Sequence, residues 1–213
     1  MMTLGLDTSE PLGSVALFRE GDVSEERWMD EPLQHAECLF PLIDRLLGES
    51  EIPPEAIDAV SINRGPGSFT GLRIGLAAAK GLCQAWEAPL VGIDGTSIYR
   101  ARVAEQRACV VLASRRDLYY VRWFAGGRPK GPTSLVREAQ LLDQLAREPR
   151  DVVLVGSGAS RIYNALPGGT RVHVAPDEAN RPSALWVARL GSAEMPTNQL
   201  YEVEPQYIEP LLA

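Results

Sequence analysis

The sequence predicts an α/β protein made of two related lobes, each a mixed β-sheet flanked by helices. Three observations predict it. The chain opens with a hairpin meander, strand–helix–strand alternation follows between residues 34 and 93, and a similar order of elements recurs after residue 106. Hairpins joined to strand–helix–strand units give mixed sheets covered by helices. The repeated order indicates duplication.

The first lobe is predicted to span residues 1–102. Short strands at 3–7 and 14–19 and a third that ends at Met29 are separated by turn-forming residues, which is typical of a meander. The remaining elements are a helix at 34–47, an apolar strand at 57–63, a long helix at 71–86, a strand at 89–93 and a connecting helix at 96–103.

The second lobe is predicted to span residues 103–213 and to repeat this order. Its elements are strands at 109–114 and 118–124, a helix at 138–147, a buried strand at 152–156, a short strand around Val172 and a helix at 183–190. The two lobes also share a glycine-containing turn after the corresponding strand. Asn63-Arg64-Gly65-Pro66-Gly67 follows the apolar strand of the first lobe, and Gly156-Ser157-Gly158 follows its counterpart in the second.

Charge and composition exclude several classes of protein. The chain has 213 residues, a net charge of −7 and a hydrophobic content of 45%, so it can bury a sizeable core and is expected to lack a basic face for nucleic-acid phosphates. Cys38, Cys83 and Cys109 are odd in number and lie among apolar residues, which predicts reduced core thiols. No apolar run approaches the ~18 residues of a membrane span, and Met1-Met2-Thr3-Leu4 shows no basic stretch before an apolar run of the kind that a signal peptide has. We therefore expect a cytoplasmic protein.

The long helix has more apolar surface than one sheet can cover. Between residues 71 and 86 the strongly polar side chains are Arg73, Lys80 and Gln84, which share one narrow stripe. A helix that is apolar nearly all round must be enclosed on several sides, either by a partner protein or by the chain's own second lobe.

The helix at 34–47 also has more apolar surface than one core-facing stripe requires, since its apolar residues spread over roughly 160°. Gly71 and Gly75 stand four residues apart and would let another backbone approach closely. We predict a partner interface made of eight residues from these two helices: Leu39, Leu42, Leu46, Gly71, Leu72, Gly75, Leu76 and Ala79.

Three motifs resemble a known family. The chain reads Leu6-Asp7-Thr8-Ser9 at its first turn, has His35 before Phe40-Pro41-Leu42, and continues as Arg64-Gly65-Pro66-Gly67-Ser68-Phe69-Thr70-Gly71-Leu72-Arg73-Ile74-Gly75. The duplicated unit and its first hairpin resemble the actin, sugar-kinase and heat-shock-chaperone superfamily (ASKHA, a ribonuclease H-like fold). Within that superfamily, the longer motifs resemble the TsaB (YeaZ) family.

This resemblance implies a function. TsaB proteins are bacterial partner subunits in the synthesis of threonylcarbamoyladenosine in tRNA, and their helix pair packs on the same pair of the catalytic subunit TsaD. The partners implied here are a TsaD-like transferase and a TsaE-like ATPase, with a homodimer when the chain is alone and with tRNA contacted only indirectly. A non-catalytic subunit without a cofactor or metal of its own is expected, and ATP or ADP would lie at an interface of the full complex.

Asp7, Thr8 and Ser9 are the candidates for a nucleotide site. Superfamily kinases place a carboxylate at the end of the first strand, near the metal–phosphate group, and wrap phosphate with the following hairpin. Asp-Thr-Ser is also ordinary turn chemistry, and Glu10 and Pro11 stand where an intact phosphate hairpin would have glycine. Amides at the start of the long helix offer a second anion site, although no lysine follows the glycines as in a Walker loop.

Departures from the superfamily's enzymes weaken a catalytic function. The catalytic branch carries a metal-binding pair of histidines after the strand that ends near Ile93, and this chain has none there. His35 is interpreted as a surface histidine at a helix start. The alternatives left open are a small-molecule kinase of the superfamily and a metallopeptidase homologue.

The second lobe departs from the family at its first turn and near its end. Ala113, Asp117 and Leu118 replace the family's usual residues at the turn, and Glu209 replaces a closing arginine.

Overall fold

The computed structural model describes residues 1–194 and 200–208. The chain divides into two compact units, of which the first contains Met1–Ile98 and Pro182–Gln206 and the second contains Tyr99–Arg181. The predicted boundary near residue 102 lies close to the observed one. The predicted assignment of the helix at 183–190 to the second lobe differs from the structure, which places it in the first unit.

The first unit is built on a five-stranded sheet. Its strands are β1 (Thr3–Asp7), β2 (Ser14–Arg19), β3 (Val23–Trp28), β4 (Ala59–Asn63) and β5 (Leu90–Ile93), in the order β3-β2-β1-β4-β5. β1 pairs antiparallel with β2, where Gly5 lies opposite Ala16, and parallel with β4, where Gly5 lies opposite Ser61. All residues of β1 and β4 are buried, so both faces of the sheet centre are covered.

Three helices alternate with the last of these strands: α1 (His35–Glu49) follows β3, α2 (Phe69–Trp86) follows β4 and α3 (Gly95–Arg100) follows β5. The inner faces of α1 and α2 share one apolar core with Leu4 and Leu6 of β1 and Val60 and Ile62 of β4. These two helices therefore cover the sheet face to which the even-numbered residues of β1 point.

The second unit is built on a six-stranded sheet. Its strands are β6 (Arg107–Ala113), β7 (Leu118–Ala125), β8 (Arg128–Pro129), β9 (Ser134–Arg137), β10 (Val152–Val155) and β11 (Val172–Val174), and its helices are α4 (Glu138–Ala146) and α5 (Ala159–Ala165). The strand order is β11-β10-β6-β7-β8, and β9 also pairs with β7. An antiparallel β6–β7 pair followed by parallel β10 and β11 repeats the arrangement of β1, β2, β4 and β5.

The last helix, α6 (Ala184–Ala193), covers the other face of the first sheet. A Cβ added to Gly5 would lie 2.1 Å from the Ala184 carbonyl oxygen, and one added to Gly191 would lie 1.9 Å from Ser61 Oγ. Gly5 and Ser61 alternate with the residues that face α1 and α2, so α6 lies on the opposite side. Small residues on both the helix and the strands let α6 approach the sheet this closely.

Four short elements of the second unit are absent from the sequence-based prediction: β8, β9, α5 and a 3₁₀-helix at Asp177–Asn180. β9 has four residues and pairs with β7 through contacts such as Leu135 with Tyr120. Such a short run has no reliable period, and the partner strand makes it a strand.

Two of the three cysteines are buried, as the prediction of core thiols expects, and the third is not. Cys83 and Cys109 are buried and Cys38 is partly exposed, and all three are free. Burial raises the pKa of the Cys83 thiol to about 12 and also raises the pKa of Cys109. The two buried thiols are therefore protonated and unreactive near neutral pH.

Candidate partner-binding surface

The eight residues predicted to contact a partner lie inside the first unit. Leu39, Leu46 and Ala79 are at most 1% exposed. The other five are also buried: Leu42, Gly71, Leu72, Gly75 and Leu76. The apolar surplus on these helix faces is therefore used to cover the chain's own sheet, and these side chains are not available to a partner.

Gly71 and Gly75 make their close approach within the chain. A Cβ on Gly71 would lie 2.1 Å from the carbonyl oxygen of Thr8, and a Cβ on Gly75 would lie 2.1 Å from Thr8 Oγ1. Thr8 Oγ1 donates a hydrogen bond of 2.8 Å to the Gly71 carbonyl. The glycines are needed because α2 packs directly on the β1–β2 turn, and not because a partner's backbone contacts them.

A different set of apolar and small residues lies on the solvent-exposed side of the two helices, among exposed polar ones such as Arg73 and Gln84. Phe40 is 47% exposed and Phe69 is 53% exposed, while Ala77 and Ala85 are exposed and Ile74 is half-buried. A Cβ on Gly81 would have no atom within 4 Å. We call this surface the outer helix face and define it by six residues: Phe40, Phe69, Ile74, Ala77, Gly81 and Ala85.

Helical register places four of these six residues on one side of α2. Ile74, Ala77, Gly81 and Ala85 lie within about 80° of one another around α2. On α1, Pro41 and Arg45 line a cavity together with Met29, the residue that follows β3. Phe40 is rotated about 100° from Pro41, away from that cavity.

The guanidinium of Arg73 lies 3.8 Å from the centre of the Phe69 ring. This stacking covers part of an exposed aromatic side chain and orients it at the start of α2. The outer helix face thus combines two aromatic side chains with Ile74 and a stripe of three small residues. That combination suits close packing of another helix pair.

The carboxylate of Asp7 is closed off by the chain itself. Asp7 is fully buried, and its Oδ1 accepts hydrogen bonds from the Ser9 amide at 3.0 Å and from Ser9 Oγ at 2.7 Å. Its Oδ2 accepts from Asn63 Nδ2 at 3.0 Å, and the same nitrogen donates to Ser9 Oγ at 2.9 Å. Asp7 therefore satisfies the turn and joins β1 to the end of β4, as the turn-capping interpretation expects.

The loop before α2 packs over the same turn. The Ser68 amide donates to the Ser9 carbonyl at 2.7 Å, and a Cβ on Gly67 would lie 2.3 Å from that oxygen. Ser68 Oγ accepts from the Gly71 amide at 3.2 Å, so Ser68 caps the start of α2. Thr8 and Ser9, both candidates for nucleotide binding, are buried beneath this loop.

His35 is buried, and its prediction as a surface histidine was wrong. Its Nε2 donates to the Glu10 carbonyl at 3.0 Å, which leaves Nδ1 facing Met29 Sδ at 3.2 Å. Burial lowers the pKa of His35, while the Glu10 carbonyl and the Asp7 charge oppose that shift. The neutral ring fastens the start of α1 to the β1–β2 turn. No local pattern indicates this contact, because residue 10 and residue 35 meet only in the fold.

The divergent turn of the second unit is held by its own contacts. The carboxylate of Asp117 lies 3.1 Å from the guanidinium of Arg137. The backbone carbonyl of Asp117 accepts a hydrogen bond from the Glu138 amide. The Ala113 amide donates to Ser157 Oγ at 3.0 Å, and Leu118 lies opposite Arg137 in the sheet. These residues connect β7, β9 and the start of α4. Glu209 lies outside the described residues.

The stretch after β5, where catalytic relatives carry two histidines, forms the start of α3. Asp94 Oδ1 accepts from the Ser97 amide at 3.0 Å and from Thr96 Oγ1 at 2.5 Å. Across residues 1–194 and 200–208, no group of three or more His, Cys, Asp and Glu side chains is placed to hold a metal ion. The described helices include none with the length and hydropathy to span a bilayer.

Known proteins match this chain over part or nearly all of its length. The family model described as TsaD, tRNA N6-adenosine threonylcarbamoyltransferase, matches residues 32–128. The tRNA threonylcarbamoyladenosine biosynthesis protein TsaB of Haemophilus influenzae is 26% identical, over 96% of this chain and 92% of that protein.

Two solved structures show the fold. YeaZ from Pseudomonas aeruginosa is 24% identical and superposes with a TM-score of 0.76, over 97% of this chain and 99% of that chain. The inorganic polyphosphate/ATP-glucomannokinase from Arthrobacter sp. strain KM superposes with a TM-score of 0.57 at 11% identity, over 90% of this chain and 98% of that chain. The predicted fold, a duplicated ASKHA unit with two mixed sheets flanked by helices, is confirmed.

Proposed function

This chain belongs to the TsaB (YeaZ) family, and from that premise we propose that it is the non-catalytic subunit that binds and activates a TsaD-like threonylcarbamoyltransferase. The reaction served is the threonylcarbamoyladenosine modification of tRNA, for which the Haemophilus influenzae relative is named. The match of the transferase family model to residues 32–128, which include α1 and α2, supports a related helix pair in both proteins.

The outer helix face is the observation that carries this proposal. Phe40 and Phe69 are about half exposed although the inner sides of the same helices are buried. Covering two aromatic rings and a stripe of small residues with a partner's helices would remove apolar surface from water and allow short interaxial distances. A TsaD-like subunit with an equivalent helix pair is the occupant that the family implies.

The β1–β2 turn supports a non-catalytic role. Both carboxylate oxygens of Asp7 accept hydrogen bonds from within the chain, and Thr8 and Ser9 are covered by the loop before α2. A kinase of this superfamily would need that carboxylate and hairpin for its metal–phosphate group. Here the same groups stabilise the turn. We place ATP or ADP, together with a TsaE-like ATPase, at surfaces that form only in the full complex.

Gly81→Arg on the outer helix face tests the proposal. Its side chain has open space in the isolated chain, so the fold should be retained, but a partner's helices would bury an unpaired charge. We expect the dissociation constant for the TsaD-like subunit to rise on the order of 100-fold, because about 2.7 kcal/mol is lost. Calorimetric titration measures this constant, and threonylcarbamoylation of tRNA by the mixed subunits should fall with it.

Gly168→Arg is the matched control. Gly168 lies in the second unit, a Cβ there would also meet no atom within 4 Å, and the charge change is the same. This variant should bind and activate as the wild type does. Equal binding by both variants would show that the outer helix face is not the interface, and tRNA modification by the purified chain alone would show that it is an enzyme.

A further inference from the structure

The net charge of −7 is the sum of a negative first unit and a positive second unit. Tyr99–Arg181, which lies in the second unit, contains 14 Arg and Lys residues and 8 Asp and Glu residues, a net charge of +6. With a total of −7, the rest of the chain therefore carries −13. The expectation of no basic face rested on the total alone, and the second unit does not meet it.

The positive charge is concentrated in one part of the second sheet. Residues 107–137 contain 7 Arg and Lys residues and a single acidic residue, Asp117. They form β6, β7, β8 and β9 with their connections. We call this segment the basic ribbon. Its basic residues are Arg107, Arg115, Arg116, Arg122, Arg128, Lys130 and Arg137.

The ribbon presents charge at both ends of β7. Arg115 and Arg116 are exposed at the β6–β7 turn, and Arg128 and Lys130 are exposed beyond the other end. Within the part of the chain that the structure describes, none of these four side chains has an acidic partner within 4.0 Å. Their charges are therefore available to a ligand.

The two ends are separated by the length of one strand. Arg137 lies opposite Leu118 and Arg128 lies opposite Ala125, so the edge spans seven residue steps of β7. That distance is roughly 23 Å at the rise of a strand. A ligand that contacts the whole ribbon must be long and must carry repeated negative charge.

The chemistry of the ribbon favours phosphates over a protein surface. The large apolar side chains exposed in the described residues are Met1, Trp28, Leu33, Phe40, Phe69, Tyr163 and Tyr207, and none of these lies in residues 107–137. Protein interfaces usually centre on buried aromatic or apolar anchors. Nucleic-acid surfaces instead use Arg and Lys to position the phosphate backbone.

We propose that the basic ribbon binds the phosphate backbone of tRNA while the outer helix face holds the transferase. This inference rests on the proposed function, which supplies tRNA as the shared substrate. It replaces the expectation that the chain contacts tRNA only indirectly. The contact is with the backbone, so it positions the RNA without selecting its sequence.

The variant Arg128→Gln/Lys130→Gln tests the ribbon in the complex of this chain with its TsaD-like subunit. An unmodified tRNA transcript is titrated at 50 and 200 mM salt by fluorescence anisotropy. Each lost phosphate contact removes about 0.9 from the slope of log affinity against log salt. We therefore expect weaker binding at 50 mM salt, and the ratio of the two dissociation constants should shrink by about tenfold.

Arg147→Gln/Arg171→Gln is the control, because it removes the same charge from exposed residues of the same unit that lie outside the ribbon. Its salt slope should match the wild type. Equal slopes for both variants would overturn the inference and leave the proposed function intact. Loss of the TsaD-like subunit by the ribbon variant alone, measured by size-exclusion chromatography, would instead show that the ribbon contacts a protein. If the wild-type chain fails to bind that subunit, the proposed function fails, and the same titration of the full chain alone still tests the ribbon.

Discussion

Gly75 and Gly81 lie on one helix but face different surroundings. A Cβ on Gly75 would lie 2.1 Å from Thr8 Oγ1 and 3.2 Å from Ile62 Cδ1, whereas Gly81 faces open space. Thr8 cannot move aside freely, since it is buried and its hydroxyl is bonded to the Gly71 carbonyl. The same residue type therefore permits close packing at one position and only weakens the helix at the other.

Gly75→Ala should destabilise the isolated chain, and Gly81→Ala should not. Overpacking against Thr8 costs about 1–3 kcal/mol, while alanine in an exposed helix interior gains up to about 1 kcal/mol over glycine. Urea unfolding followed by circular dichroism measures both changes. Equal stabilities for the two variants would contradict the close contact between α2 and the β1–β2 turn.

At the scale of elements, a half-buried carboxylate from β3, that of Glu26, holds the start of α6. Glu26 accepts from Ser183 Oγ at 3.1 Å and from the Leu185 amide at 3.3 Å, and Ser14 Oγ accepts from the Ala184 amide at 2.9 Å. A carboxylate at a helix N-terminus is favourable. Burial nonetheless raises the pKa of Glu26, and its hydrogen bonds to Ser14, Leu185, Ser183 and Ala184 oppose the shift only in part.

This pKa shift predicts how the stability of the first unit depends on pH. A carboxyl group whose pKa is raised in the folded state binds its proton more tightly there than in the unfolded chain. Its contribution to stability therefore falls as the pH rises from its ordinary value of 4.5 through the folded pKa. Glu26→Gln should remove this contribution, so its free energy of unfolding relative to wild type should rise between pH 4.5 and pH 7.

Glu25→Gln on the same strand is the matched control, since the Glu25 side chain is 39% exposed and its carboxylate pairs with Arg27 at 3.2 Å. Urea unfolding at the two pH values compares the three proteins. The same pH dependence in wild type and Glu26→Gln would show that the carboxylate at α6 is not destabilised by burial.

At the scale of the whole molecule, two surfaces of different chemistry lie on different units. The outer helix face of the first unit offers aromatic and small residues, and the basic ribbon of the second unit offers Arg and Lys. A protein partner suits the first surface and a polyanion suits the second. Under the two proposals, one subunit would contact both an enzyme and its RNA substrate.

The outer helix face also predicts self-association of the chain when its partner is absent. Identical apolar patches related by a twofold axis can cover each other. We expect a homodimer at tens of micromolar, roughly the range of weak interfaces, and a monomer for Gly81→Arg. Light scattering against concentration measures this, and a wild-type chain that stays monomeric would refute the prediction.

Much of the fold follows from local patterns. Alternating and apolar runs predict β1, β2 and β4, and the length and apolar character of residues 71–86 predict α2. The glycine motif before α2 marks a special turn with Ser68 as the cap. These features depend on residues close in sequence, so the chain specifies them without its tertiary structure.

The sequence by itself determined that two helices have more apolar surface than one sheet face needs, and its motifs indicated the family. Only the tertiary structure decided which residues remain exposed: it buries Leu39, Leu46 and Ala79 and leaves Phe40 and Gly81 open. The polar stripe of Arg73, Lys80 and Gln84 marks only one narrow direction of α2, so packing on the β1–β2 turn decides which of its many apolar residues are buried. The division of charge between the units likewise follows from the fold, because the domain boundary, and not the composition, decides which charges share a surface.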